Sequence, residues 1–74
     1  MPKLPIVNGN ETIKALEKIG FQVVRQKGSH VRMRHEDNRV VTIPVHGHKC
    51  LGKGLLRKIL RDAELTVEQF QEIL

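Results

Sequence analysis

His30 is the residue of this chain best placed for acid–base chemistry, because it follows Gly28 and Ser29 and alternates with Arg32 and Arg34. An imidazole changes charge near neutral pH and can take a proton from a hydroxyl. Guanidinium groups beside it would hold a phosphate and the charge that develops on it. The combination suits RNA cleavage, in which a deprotonated 2′-hydroxyl attacks the neighbouring phosphate with neither metal nor external water. The plainer alternative is a surface histidine on a polar strand face.

The other three histidines are His35, His46 and His48. His35, an odd number of residues from His30, falls on the other face of a regular strand and reads as a turn-edge residue. His46, His48 and Cys50 alternate, so an extended loop would point all three one way, as zinc ligands of nitrogen and sulfur require. No CxxC pair accompanies them and no fourth ligand is assigned, so neither a metal nor another cofactor is expected. For His46 a contact to RNA or a hydrogen bond that shapes its loop is expected instead. Phosphate-loop, GxSxG and paired-carboxylate patterns are missing from the basic region, which leaves nucleotide hydrolysis, serine esterase action and glycosidase action without their parts. Phe21 and Phe70 both fall on apolar stripes. With no Tyr or Trp, base stacking on an aromatic platform is not expected to dominate.

Charge adds a partner class. The chain of 74 residues carries a net +5, but residues 21–61 hold ten basic side chains against Glu36 and Asp37, a net +8, and residues 62–74 carry a net −4. A concentrated cationic middle points to a polyanion, most simply nucleic acid; a generally soluble basic surface is the competing explanation. No apolar run is long enough to span a membrane and no signal-peptide pattern opens the chain, so a cytoplasmic protein that does not engage membranes is expected. One cysteine forbids an internal disulfide. A chain of this length buries about 60% of its unfolded surface around a thin core, which fits one domain over residues 1–74.

These groups need elements to hold them. Pro2 and Pro5 suggest an extended lead-in over residues 1–7, with the fold starting after it. Asn8 and Glu11 have capping-box spacing, and Ile13, Leu16 and Ile19 mark a helix that Gly20 stops in the left-handed conformation. From Phe21 the period becomes two. Phe21, Val23 and Arg25 alternate with their neighbours, Lys27 and Gly28 make a turn, and Val31 and Met33 alternate with His30, Arg32 and Arg34. Glu36, Asp37 and Asn38 supply a second turn before a strand over Val40–Ile43 that Pro44 closes. If Val23, Met33, Val41 and Ile43 face the helices, His30, Arg32 and Arg34 project from the opposite side. Residues 45–52 read as a loop. Leu55, Leu56, Ile59, Leu60 and Ala63 then mark a second helix whose outer side carries Lys53, Arg57, Lys58 and Arg61 as a positive ridge. Lys53 opposes the helix dipole, but free amides beside Gly52 and Gly54 would welcome an anion. Thr66 and Gln69 cap a short last helix with apolar Val67, Phe70, Ile73 and Leu74.

Taken together, LEKIGF at Leu16–Phe21, QKGSH at Gln26–His30, TIPVH at Thr42–His46 and LLRKILRDAEL at Leu55–Leu65 resemble the HicA-type mRNA interferase toxins, partners of HicB-type antitoxins. The likeness spans nearly the whole chain. Cys50 departs from it, at a position where a more polar residue is usual, as does Glu64, where such chains often carry glycine. The resemblance implies an α+β fold similar to a double-stranded-RNA-binding domain: α-β-β-β-α with a short extra C-terminal helix, and a three-stranded antiparallel sheet with helices on one face. It implies ribosome-independent RNA cleavage with His30 essential, and Gly28 and Ser29 shaping its approach. Lys27, Gly28, Ser29, Arg32, Arg34, His46, Lys53 and Arg57 are the expected RNA-binding residues. The expected partners are mRNA and a HicB-type antitoxin, the free chain being a monomer. A non-catalytic RNA-binding module of the same fold is the alternative.

Overall fold

The computed structural model describes residues 3–74, so the first part of the expected lead-in, including Pro2, lies outside the described residues. Helix α1 (Gly9–Glu17) is followed by strands β1 (Gln22–Lys27), β2 (His30–Arg34) and β3 (Val40–Pro44), then helices α2 (Lys53–Ala63) and α3 (Val67–Ile73). The strands form an antiparallel sheet in the order β1-β2-β3. Inward residues Val31, Met33, Val41 and Ile43 pack with Phe21, Leu16 of α1, and Ile59 and Ala63 of α2. A second cluster joins Val7, Ala15, Leu56, Leu60 and Phe70, and Leu51 and Leu65 touch both.

Local chemistry explains the boundaries. Asn8 accepts from the Glu11 amide at 2.8 Å while Glu11 accepts from the Asn8 amide at 2.9 Å, and Thr66 and Gln69 make the same reciprocal pair for α3. Each box satisfies two amides that helix geometry leaves without partners. Helix α1 ends at Glu17, earlier than Ile19, because the chain tightens into turns before Gly20 takes φ 102°. Glu64 ends α2 at φ 58°, a conformation glycine adopts more readily.

Three departures from the expected layout matter. The lead-in is part of the fold: Val7 is buried and its carbonyl accepts from the Leu51 amide at 2.8 Å, and the Lys3 carbonyl accepts from the Gln71 side chain. The first hairpin turns at Gly28 and Ser29 rather than Lys27 and Gly28, since Lys27 pairs with His30 and Gly28 takes the positive φ that the first position of a primed hairpin turn demands. Between Val23 and Arg25 the register slips by one residue in a β-bulge. Val23, opposite buried Met33 and so on the inner side as expected, nevertheless stays 44% exposed, because β1 is the edge strand and the helices pack over β3 instead.

Candidate functional site

The outer face of the sheet is built by simple alternation. Val31 and Met33 are buried, so His30, Arg32 and Arg34 project outward and are exposed. Their partners across β1 are Lys27 opposite His30, Arg25 opposite Arg32 and Gln22 opposite Arg34; across β3 they are Pro44, Thr42 and Val40. Paired residues of an antiparallel ladder share a face. One surface thus carries Arg25, Lys27, His30, Arg32 and Arg34, and none of these has a carboxylate partner among the described residues.

Arg25 is the residue that alternation alone misplaces. Counted in register with Val23 it belongs to the inner face, but the bulge adds one residue and turns it outward, opposite Arg32. The only sequence sign is Val23-Val24, two adjacent β-branched residues that a strict period of two cannot both place.

His30 stands at one end of this face, where several segments meet. Ser29, half-buried, accepts from the Val45 amide through its carbonyl at 2.6 Å, tying the 45–52 loop to the hairpin turn. The loop is held further by the Leu51–Val7 bond, by a bridge between Asn8 and Cys50, and by a bond from the Lys49 amide to the His46 carbonyl at 3.1 Å. Gly9, at the start of α1, lies so close to the Pro44 carbonyl and the Val45 side chain that a Cβ there would clash. His46 and Lys53 are exposed at this same end, and Pro44, His46 and Gly52 share a cleft. Arg57, one turn along α2, belongs to the helix layer behind the sheet and is not brought to His30 by any contact described. Of the expected ridge, Lys58 is paired with Asp62 at 2.9 Å, so part of the acidic C-terminal segment neutralises it. Cβ atoms added at Gly52 and Gly54 would meet open space, and no side chain caps α2 at its N-terminus.

His46, His48 and Cys50 do not form a ligand set: among the described residues no three His, Cys, Asp or Glu side chains come together to hold a metal ion. His35 is more than a turn-edge residue. It is half-buried, with Nε2 at 2.9 Å from the Ile19 carbonyl, its ring edge-on to Phe21, and Nδ1 accepting from the Asp37 amide at 3.3 Å. Asp37 in turn binds the Arg39 side chain at 2.8 Å, and Arg39 lies over Phe21 and donates to the Ala63 carbonyl. The Arg39 hydrogen bond, foremost, holds the Asp37 carboxyl below its ordinary range. This network joins the second turn to the ends of α1 and α2.

No helix among the described residues is long and apolar enough to cross a membrane. A family model described as HicA toxin of bacterial toxin-antitoxin matches residues 9–65, more than three-quarters of the chain and everything from the first residue of α1 to the residue after the α2 cap. No curated protein matches it.

Proposed function

The chain belongs to the HicA toxin family, and from that premise we propose that it is a metal-independent endoribonuclease in which His30 is the general base. Membership makes it the toxin of a toxin–antitoxin pair, so an antitoxin is its partner. The observation that carries the enzymatic reading is the position of His30: an exposed imidazole at the end of a face bearing four further cationic side chains, all without carboxylate partners among the described residues. In the proposed reaction the imidazole removes the 2′-hydroxyl proton of an RNA nucleotide. The 2′-oxygen bonds to the adjacent phosphorus and the bond to the 5′-oxygen breaks. A second group, His46 or a lysine, protonates that leaving oxygen while the imidazolium gives its proton to solvent, giving a 2′,3′-cyclic phosphate and a 5′-hydroxyl. Arg32 and Lys27, beside or opposite His30, balance the charge of the pentavalent phosphate. Arg25 and Arg34 hold the adjoining phosphates, with Gly28 and Ser29 letting the backbone come close. Lys53, exposed at the start of α2, extends the phosphate track, whereas Arg57, in the helix layer, is left out of it.

A positioned general base contributes about 10² to 10⁴ in rate. His30→Ala is therefore expected to lower cleavage of a mixed transcript in EDTA by that factor. Its circular dichroism and melting should stay unchanged, because the side chain is exposed and makes no hydrogen bond among the described residues. Full cleavage by the variant overturns the mechanism. One observation favours a second reading, a non-catalytic RNA binder: among the described residues no side chain hydrogen-bonds the His30 ring, whereas catalytic bases are commonly oriented in this way. RNA that is shifted in a gel but left intact by the unaltered protein decides for the binder. The antitoxin, proposed to be of HicB type, would present acidic groups to the same face and cover His30; co-expression with it should relieve growth arrest.

A further inference from the structure

A cleft with a volume of about 330 Å³ opens beside the β3 end of the His30 face, lined by Pro44, His46, Lys49, Leu51, Gly52 and Leu55. We propose that it receives one unpaired nucleobase of the RNA, next to the cleaved linkage. The inference rests on the reading that this protein binds RNA, and it adds a base subsite to a face that otherwise contacts only phosphates.

Position supports it first. Pro44 is the cross-strand partner of His30 and a wall of the cleft. Directly opposed residues have Cβ atoms about 5 Å apart, so a phosphate held at His30 brings a flanking base within reach. Lining is the second support. Pro44, Leu51 and Leu55 give an apolar floor, and Leu55 is 39% exposed although it belongs to a helix with a well-buried apolar side. His46 supplies a ring on which a base can stack, and Lys49 a cation at the rim for the next phosphate. Both phenylalanines are buried in the core, so imidazoles are the aromatic rings open to a base, and His46 is the one that lines the cleft. Rigidity is the third. The loop is pinned by the Ser29, Val7 and His46 carbonyls, so the cleft is largely formed before RNA arrives.

The chemistry asks for the same thing. Attack by a 2′-oxygen needs it to swing behind the phosphorus, opposite the departing 5′-oxygen, and a base-paired A-form strand does not allow that rotation. Unpaired bases can be splayed out of the stack, and a cleft of this size takes one base and no duplex.

The test uses His30→Ala protein, so that RNA stays intact, and a single-stranded RNA made abasic at one position at a time. One abasic position is expected to weaken binding about tenfold, as the loss of a stacked base does. In His30→Ala proteins that also carry His46→Ala or Leu55→Ser the parent RNA should bind about as weakly as that abasic one, and the abasic difference should vanish. Annealing a complementary strand should also cost affinity. Equal binding of every abasic RNA, or a difference that persists in the Leu55→Ser protein, overturns the subsite. Absence of cleavage by the unaltered protein, with the abasic difference present, overturns the nuclease reading alone and leaves the subsite standing.

Discussion

Arg25 and Arg32 oppose each other across β1 and β2, and like charges directly opposite are unfavourable for the sheet. Among the described residues no carboxylate neutralises this face, so its cations do not add to stability through ion pairs and are free to meet an anion. Arg25→Ala should therefore separate the two: the melting temperature stays level or rises, while RNA affinity falls and the slope of log affinity against log salt becomes shallower by about 0.7, one single-strand phosphate contact. A fall in stability with unchanged RNA affinity would assign Arg25 to the fold instead. His30, Arg32 and Arg34 were legible in the sequence because β2 keeps strict alternation between buried and exposed positions. Arg25 was not, because a bulge depends on how two strands are laid together and leaves only the faint mark of two adjacent valines.

The elements themselves were largely legible, since both capping boxes and both apolar helix stripes are local signals. The contacts that bring elements together were less so. Gly9 is an example: at the first turn of a helix, glycine to alanine ordinarily stabilises by about 0.5–1 kcal/mol. Here the new Cβ would press on the Pro44 carbonyl and come within 3.0 Å of the Val45 side chain. Gly9→Ala should instead destabilise by about 1–3 kcal/mol, as overpacking does, read as a lower urea midpoint, and it should slow RNA cleavage because Pro44 flanks both His30 and the cleft. A stabilised variant would mean that the α1 start is not seated on the loop. The network of His35, Asp37 and Arg39 was equally invisible, because its partners at Ile19, Phe21 and Ala63 lie on three other segments. Its pH dependence has a definite sign. The Asp37 carboxyl is held below its ordinary range in the folded protein, mainly by Arg39, so its contribution is present above the unfolded value near about 3.9 and is lost as pH falls through the lower folded value. The melting temperature of the unaltered protein should exceed that of Asp37→Asn at about pH 5 and converge on it towards about pH 3. A gap that stays constant over this range would remove the carboxylate from the account.

At the scale of the whole molecule, the net +5 is unevenly divided, with +8 concentrated in residues 21–61 and −4 in residues 62–74. The fold does not keep these two regions wholly apart, since Asp62 pairs with Lys58 on the solvent side of α2. It leaves the outer sheet face and Lys53 uncompensated among the described residues. Such a surface repels itself in the free protein and attracts a polyanion or an acidic antitoxin, which would stabilise the fold by mass action. Salt acts on both effects in opposite directions. Raising sodium chloride from about 50 to about 200 mM screens the self-repulsion and should raise the melting temperature of the free protein slightly. The same change competes with phosphate binding. If Arg25, Lys27, Arg32, Arg34 and Lys53 each neutralise one phosphate, the expected slope for single-stranded RNA is about −3.5, a loss of affinity on the order of 100-fold over that range. Measuring both on one preparation tests whether a single charged surface governs stability and binding. A melting temperature that falls with salt would mean that the cations are paired within the fold, and an affinity that does not fall would mean that RNA is held elsewhere.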